Sequence, residues 1–341
     1  MKRVMFPSVV MSLILPIQAA TAGLKVGDPA PVLTIKQWVK GEAYDLTKAK
    51  SGDVTVVEFW ATWCGPCVMG IPHISEMQDH FKSKGVTFIG VSDEKSETVE
   101  KFLKRGFDSK MRYRVAIDDG GKTNAAWMKA AGQNGIPCAF VVKDGKIAWI
   151  GHPMDGMDTK VAELCGDKAY IERKDKLEAI GKRIQESAEA EKWEDFRAAM
   201  EDYLKLDPTS VQHQIALYHV LLTKLKKADD AAAHGKAFVS GTDDVDGLNT
   251  LAWVISKHGD FEGVRDLSLA LSAAKKAMTI TKEESSDVLD TYALVLAESG
   301  KIDEAIKAQQ KAVDKCDDGD ERMKRELTAR LEEYKKQQKG G

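Results

Sequence analysis

Trp63-Cys64-Gly65-Pro66-Cys67 follows the apolar, β-branched run Val54-Thr55-Val56-Val57-Glu58-Phe59-Trp60 directly and precedes a helical pattern directly. Two cysteines two residues apart at a strand-to-helix junction read as a redox dithiol, and they demand a strand that presents the pair and a helix that starts on it. The first turn of a helix has unsatisfied backbone N–H groups and the positive end of the macrodipole, so a thiolate at Cys64 is favoured over the thiol. Cys67 lies one turn later on the same face, where it can attack a mixed disulfide formed at Cys64. Cys64 is therefore the candidate nucleophile and Cys67 the candidate resolving thiol. Gly65 permits close approach of a partner chain, and Pro66 occupies an early helix position where its missing N–H is not needed.

Two other readings compete for the same pair. A structural zinc cluster requires a second pair of ligands. No further Cys-x-x-Cys or His-x-x-x-His follows, and the seven histidines are scattered, so no metal and no other cofactor is expected. A disulfide with a purely structural role is the second alternative in an exported chain.

The segment Glu58-Phe59-Trp60-Ala61-Thr62-Trp63-Cys64-Gly65-Pro66-Cys67 resembles the active-site segment of the thioredoxin superfamily, with Pro72 where that family kinks the same helix. Gly135-Ile136-Pro137 resembles its cis-proline loop, followed by the strand pair Ala139–Val142 and Lys146–Ile150 around the turn Asp144-Gly145. The opening Val26-Gly27-Asp28-Pro29-Ala30-Pro31 and the run Gly85–Ser92 are similar to exported members of the TlpA/ResA type. The resemblance covers roughly residues 24 to 165. It implies a thioredoxin-like α/β domain, a central mixed sheet flanked by helices, and a thiol-disulfide oxidoreductase activity on protein or peptide substrates. It also implies that Trp63, Gly65, Pro66, Ile136 and Pro137 meet the substrate, the backbone of Ile136 pairing with it as an added strand.

Glu58 stands where thioredoxin itself has a buried Asp. The apolar neighbours on both sides read as a central strand, so its carboxylate is expected to be buried, raised in pKa by desolvation, and able to take the Cys67 proton through a water. The competing reading leaves Glu58 facing solvent from an edge strand. Pro137 at the start of a strand-like run argues for a turn or a cis bond, although prolines at strand starts are also ordinary. Cys138 is read as a small buried hydrophobe on the face opposite Pro137, the alternative being a regulatory thiol that pairs with the dithiol or a metal. Peroxidase chemistry is disfavoured, because Val57 and Ala61 stand where peroxiredoxins need Pro and Thr.

The chain ends set the compartment. Lys2-Arg3, an apolar stretch from Val4 to Ile17 and the small residues Ala20-Thr21-Ala22 have the three parts of a secretory signal, with cleavage expected after Ala22. The apolar part is short and interrupted by Pro7 and Pro16, so no stable membrane span is expected after cleavage. Loss of Lys2 and Arg3 moves the formal charge from −3 to −5. That mild acidity and the lack of a basic stripe exclude nucleic acid as an expected partner. A periplasmic or otherwise extracytoplasmic site is expected. Cys165 and Cys316 are taken as free and buried, a disulfide between them being the alternative.

Beyond Gly166 the strand-like runs disappear, Ala, Lys, Glu and Leu dominate, and Pro208 is the one proline left. This half reads as all-helical. Tyr292-Ala293, Gly300, Ala305 and Ala312 resemble a tetratricopeptide repeat; Ala252 and Gly259 repeat part of that spacing, and Trp193 to Pro208 keeps its aromatics and closing proline. The expected organisation is a signal at 1–22, a thioredoxin-like domain at 23–165, a linker or helix at 166–182 and a tetratricopeptide-like helical domain at 183–341. The expected function is an exported thiol-disulfide oxidoreductase that reduces protein disulfides, because Gly-Pro between the cysteines is the pair of thioredoxin, a reductant near about −270 mV. Such a reductase implies a membrane electron donor of the DsbD/CcdA type. The alternative is a peptide- or protein-binding scaffold whose helical half is the functional part and whose dithiol is structural or regulatory.

Overall fold

The structure, a computed structural model, describes residues 23–316 and 320–340; the expected signal at 1–22 lies outside the described residues. The chain divides into two compact units between Glu172 and Arg173. Among the described residues no helix is long and apolar enough to cross a membrane.

The first unit is the expected thioredoxin-like α/β domain. Its strands are β1 (Ile35–Lys40), β2 (Val54–Phe59), β3 (Val86–Ser92), β4 (Arg114–Asp118), β5 (Cys138–Lys143) and β6 (Lys146–Gly151). They form one six-stranded sheet in the order β1-β4-β3-β2-β5-β6. Strands β2, β3 and β4 run parallel, whereas β1, β5 and β6 join by antiparallel pairings. The helices are α1 (Gly65–Phe81), α2 (Ser96–Phe102), the single turn α3 (Lys122–Asn124) and α4 (Met157–Cys165). Between β5 and β6 the chain reverses through Asp144 and Gly145, both at positive φ, which suits a two-residue hairpin turn.

Every residue of β2 is buried, the mark of a strand covered on both faces. Alternation then sorts its side chains into two layers. Val54, Val56 and Trp60 pack with Cys67, Ile71 and Ile74 of α1, while Val57 and Phe59 pack on the opposite face with Trp127 and Phe140. Glu58 has the parity of the α1 face. Its neighbours in register are Gly90 on β3 and Ala139 on β5.

Gly90 makes room on that face. A Cβ there would meet Trp60 Nε1 at 2.9 Å and Tyr113 Cε2 at 3.0 Å, so the indole and phenol rings occupy the space of the missing side chain. All of these groups are buried, and interiors this dense do not absorb an extra methyl without strain.

The second unit is all-helical. It holds α6 (Trp193–Leu206), α7 (Val211–His219), α8 (Ala228–Gly241), α9 (Val245–Lys257), α10 (Leu267–Ile280), α11 (Ser286–Glu298), α12 (Ile302–Lys315) and α13 (Glu321–Gly340), preceded by α5 (Lys168–Glu189). Ala270, Ala273, Ala274 and Ala277 of α10 are fully buried with Leu251 and Ile255 of α9 and Val288 and Val295 of α11. Small side chains on the middle helix let its neighbours approach closely. Between α11 and α12 the chain turns at Gly300 in the left-handed region, the usual helix terminator.

Gly90→Ala is expected to lower the stability of the first unit by about 1–3 kcal/mol through overpacking against Trp60 and Tyr113. Urea unfolding followed by tryptophan fluorescence checks this, and an unchanged midpoint would show that the notch tolerates a methyl group.

Candidate active site

Cys64 ends the loop after β2 in an extended conformation and is the N-cap of α1. It is disulfide-bonded to Cys67, with S–S 2.05 Å and Cα–Cα 5.2 Å. The Cys67 backbone N–H donates to Cys64 Sγ at 3.2 Å. One of the orphan amides of the helix start is thus aimed at this sulfur, a placement that favours negative charge there. Pro66 stands in the first turn, and the chain continues as α1 through Pro72.

Around the pair the surface is apolar and open. Trp63 is 73 % exposed and Met69 75 % exposed, and Gly65 and Pro66 are exposed between them. The peptide bond Ile136-Pro137 is cis, and the Ile136 carbonyl oxygen lies 3.8 Å from Cys64 Sγ. The structure therefore brings Cys64, Cys67, Trp63, Gly65, Pro66, Ile136 and Pro137 to one edge of the first unit. A recess of about 70 Å³ opens there, with Trp60, Trp63, Asp93, Asn124 and Ile136 on its walls. Its shallowness suits a macromolecular substrate, because an added peptide strand binds along a backbone edge and needs no deep cavity.

Glu58 lies beneath this surface and is 2 % exposed. Burial pushes its carboxyl up to about 8. Glu58 Oε2, Trp60 Nε1 and Tyr113 OH, all buried, have no hydrogen-bond partner among the described residues. Tyr113 is pushed well above the ordinary phenol value, first by burial and then by the charge of Glu58. The two acidic groups share one low-dielectric compartment, so charge on one disfavours charge on the other.

Two parts of the site carried no sequence signal. Tyr113 is an aromatic just before a short strand, and nothing in the pattern connects it with Glu58. Glu94 accepts hydrogen bonds from the Thr62 backbone N–H at 2.7 Å, from Thr62 Oγ1 at 2.8 Å and from Ser92 Oγ at 3.2 Å. It clamps the loop that presents Cys64, joining it to the end of β3.

Cys138 is buried and free in the layer of Val57, Phe59 and Phe140, away from α1. Burial, and then the Glu58 charge, push its thiol up to about 11. Cys316 is buried, whereas Cys165, a free thiol, is only half-buried. The expected burial of Cys165 is corrected by its position on the last turn of α4, where its Sγ faces the Ala162 carbonyl at 3.6 Å.

The Redoxin family model matches residues 25–164. The thiol-disulfide oxidoreductase ResA of Bacillus thuringiensis subsp. konkukian is 32% identical over 126 residues, which cover 36% of this chain and 68% of that protein. The chain belongs to the ResA family of thiol-disulfide oxidoreductases. Protein FixW of Rhizobium leguminosarum is 25% identical over 218 residues, covering 58% of this chain and 98% of that protein. A solved structure, a putative thiol:disulfide interchange protein DsbE from Chlorobium tepidum, shares 26% identity and covers 42% of this chain and 99% of its own, with a TM-score of 0.35. Cys64 and Cys67, at disulfide distance, are the pair through which thiol-disulfide exchange can run here.

The burial of Glu58 predicts a pH signature. Its pKa is raised on folding from 4.5 to about 8, so the folded chain keeps a proton that the unfolded chain releases. Stability from this group is complete below about pH 4.5, falls by about 1.4 kcal/mol per pH unit up to about 8, and is level above that. Glu58→Gln removes the dependence, so the variant's advantage over the wild type should grow between pH 5 and 8 and then stop growing. Urea midpoints of the oxidised proteins across this range measure it; an advantage independent of pH would show that Glu58 does not titrate in the folded interior.

Proposed function

We propose that the protein is an exported reductase of protein disulfides, with Cys64 as nucleophile, Cys67 as resolving thiol and Glu58 as proton acceptor. The Cys64 thiolate attacks one sulfur of a substrate disulfide and forms a mixed disulfide, while the other substrate sulfur leaves as a thiolate. Glu58 takes the proton of Cys67. The Cys67 thiolate then attacks Cys64 Sγ, the second substrate sulfur leaves, and the Cys64–Cys67 disulfide holds the two electrons' worth of oxidation. Ile136 and Pro137 present the substrate backbone to Cys64, with Trp63, Gly65 and Pro66 forming the rest of the contact. The observation that carries this reading is the Cys67 amide aimed at Cys64 Sγ, 3.8 Å from the Ile136 carbonyl.

Reduction as the direction rests on the Gly-Pro pair, and export rests on the tripartite pattern of residues 1–22. A reductase outside the cytoplasm needs its dithiol restored, which assigns it a membrane donor of the DsbD/CcdA type. Tyr113 is assigned a positioning role, since a neutral phenol beside Glu58 keeps that compartment free of a second charge. The helical unit is read as tetratricopeptide-like pairs for partner binding, supported by the buried Ala293, Ala305 and Ala312 and the turn at Gly300.

The mature protein should reduce insulin disulfides with dithiothreitol as donor, and Cys64→Ser should reduce this to the uncatalysed rate. Cys67→Ser should accumulate mixed disulfides with substrates, visible on non-reducing gels. Adducts that form with Cys64→Ala but not with Cys67→Ser would reverse the two roles.

Larger concavities in the helical unit favour a second reading, in which partner binding there is the main activity. Removal of residues 183–341 distinguishes the two. The reductase reading expects insulin reduction to persist and the set of proteins trapped by Cys67→Ser to narrow; loss of insulin reduction from a folded truncated chain would make the helical unit part of the catalytic apparatus.

A further inference from the structure

His219 closes α7, and His258 and Asp260 follow the end of α9, separated by Gly259. Distant in sequence, the three converge. His219 Nε2 lies 2.8 Å from Asp260 Oδ2, and His258 Nδ1 lies 3.9 Å from the same oxygen. One ligating atom from each residue falls within 4.8 Å of the other two. We propose that His219, His258 and Asp260 form a binding site for a divalent transition-metal ion of the zinc class, with three protein ligands and one position open to a groove in the helical unit.

The donor set suits that class. Two imidazoles and a carboxylate are borderline ligands that bind zinc and its first-row neighbours at about 2.0–2.2 Å, and three protein ligands with a free position are a common zinc arrangement. Tetrahedral bonds of that length place ligand atoms about 3.3–3.5 Å apart. The observed 2.8 and 3.9 Å lie on either side of this and the third pair lies within 4.8 Å, so side-chain movements of about an ångström complete the site. His258 and Asp260 have room to make them, their side chains being 49 % and 55 % exposed, while His219 at 23 % is the more firmly packed.

The imidazoles are also held in place. The two rings meet edge-on at 5.8 Å, and the fully buried Phe261 packs edge-on against His219 at 5.3 Å and against His258 at 5.9 Å. The Asp260 backbone N–H donates to His258 Nδ1 at 3.4 Å, a long contact that an ion at this nitrogen would displace. An ion would take the place of the direct His219 Nε2–Asp260 Oδ2 contact. Lys224 also acts on Asp260, and its Nζ lies over the Trp193 ring at 5.3 Å.

The three ligands stand at the border of a groove of about 770 Å³ whose wall is apolar, with Val211, Ile215, Ala216, Val220 and Val254 along α7 and α9. An ion at its end would give an otherwise greasy groove a single anchoring point for a carboxylate, thiolate or imidazole of whatever lies in it. The proposal concerns the ion, and it is independent of the dithiol chemistry.

The test uses the full mature chain with Cys64–Cys67 oxidised and the remaining accessible thiols alkylated, so that no thiolate competes for metal. Titration with Co²⁺ should produce the visible absorption of a low-coordinate N/O site with one ion per chain, displaced by Zn²⁺. His258→Gln and Asp260→Asn, both at exposed side chains, should each weaken Zn²⁺ binding at least about tenfold while leaving the circular dichroism and insulin reduction unchanged. His219→Gln should do the same where it folds. Absence of a Co²⁺ spectrum in the wild type, or equal Zn²⁺ affinity in the wild type and in both exposed-site variants, would overturn the site.

Discussion

Strand β2 is hydrogen-bonded on both sides and covered on both faces, so its register fixes both the dithiol and the carboxylate beneath it. A slip of one residue would put Glu58 into the layer of Phe140 and Trp127 and turn Val57 toward α1. Such a slip is resisted by the apolar residues that β2 presents to both layers. The position of an acid beneath Cys67 therefore follows from the same packing that holds the sheet together.

Two opposite electrostatic environments meet across the first turn of α1. At Cys64 the helix start supplies an amide to the sulfur and favours negative charge. Around Glu58 burial disfavours it, strongly enough to hold the carboxyl near about 8. The asymmetry suits the proposed roles of Cys64 as nucleophile and Cys67 as resolving thiol, because such a pair needs one thiol ionised before substrate arrives and the other only after the mixed disulfide exists. Tyr113 and Trp60 add bulk and no charge, and Gly90 yields the space they fill.

The parts of this arrangement that were legible in the sequence are those with local causes. Cys64 and Cys67 declare themselves by spacing and by the strand before them, and Glu58 by apolar neighbours that leave its carboxylate no solvent-facing side. The turn at Asp144-Gly145 and the helical character beyond Gly166 are equally local. Tyr113, Gly90 and Glu94 are not, since their roles arise from the sheet order that places β3 and β4 beside β2. Pattern reading also passed over His219, His258 and Asp260. The scatter of the histidines along the chain says little about their distance in space, and helix packing brings two of them to one end of a groove.

Reactivity among the five cysteines follows position relative to helix ends and to burial. Cys138 is next to Pro137 in sequence, yet pleating turns it to the face away from α1, and its thiol is pushed up to about 11. Cys165 ends a helix, where the macrodipole is negative, and burial is the first cause that raises its thiol as well. Only Cys64 combines a helix start, a donated amide and an adjacent open surface. Burial disfavours the thiolate at Cys138 and Cys165, each one strand or one helix away from that combination.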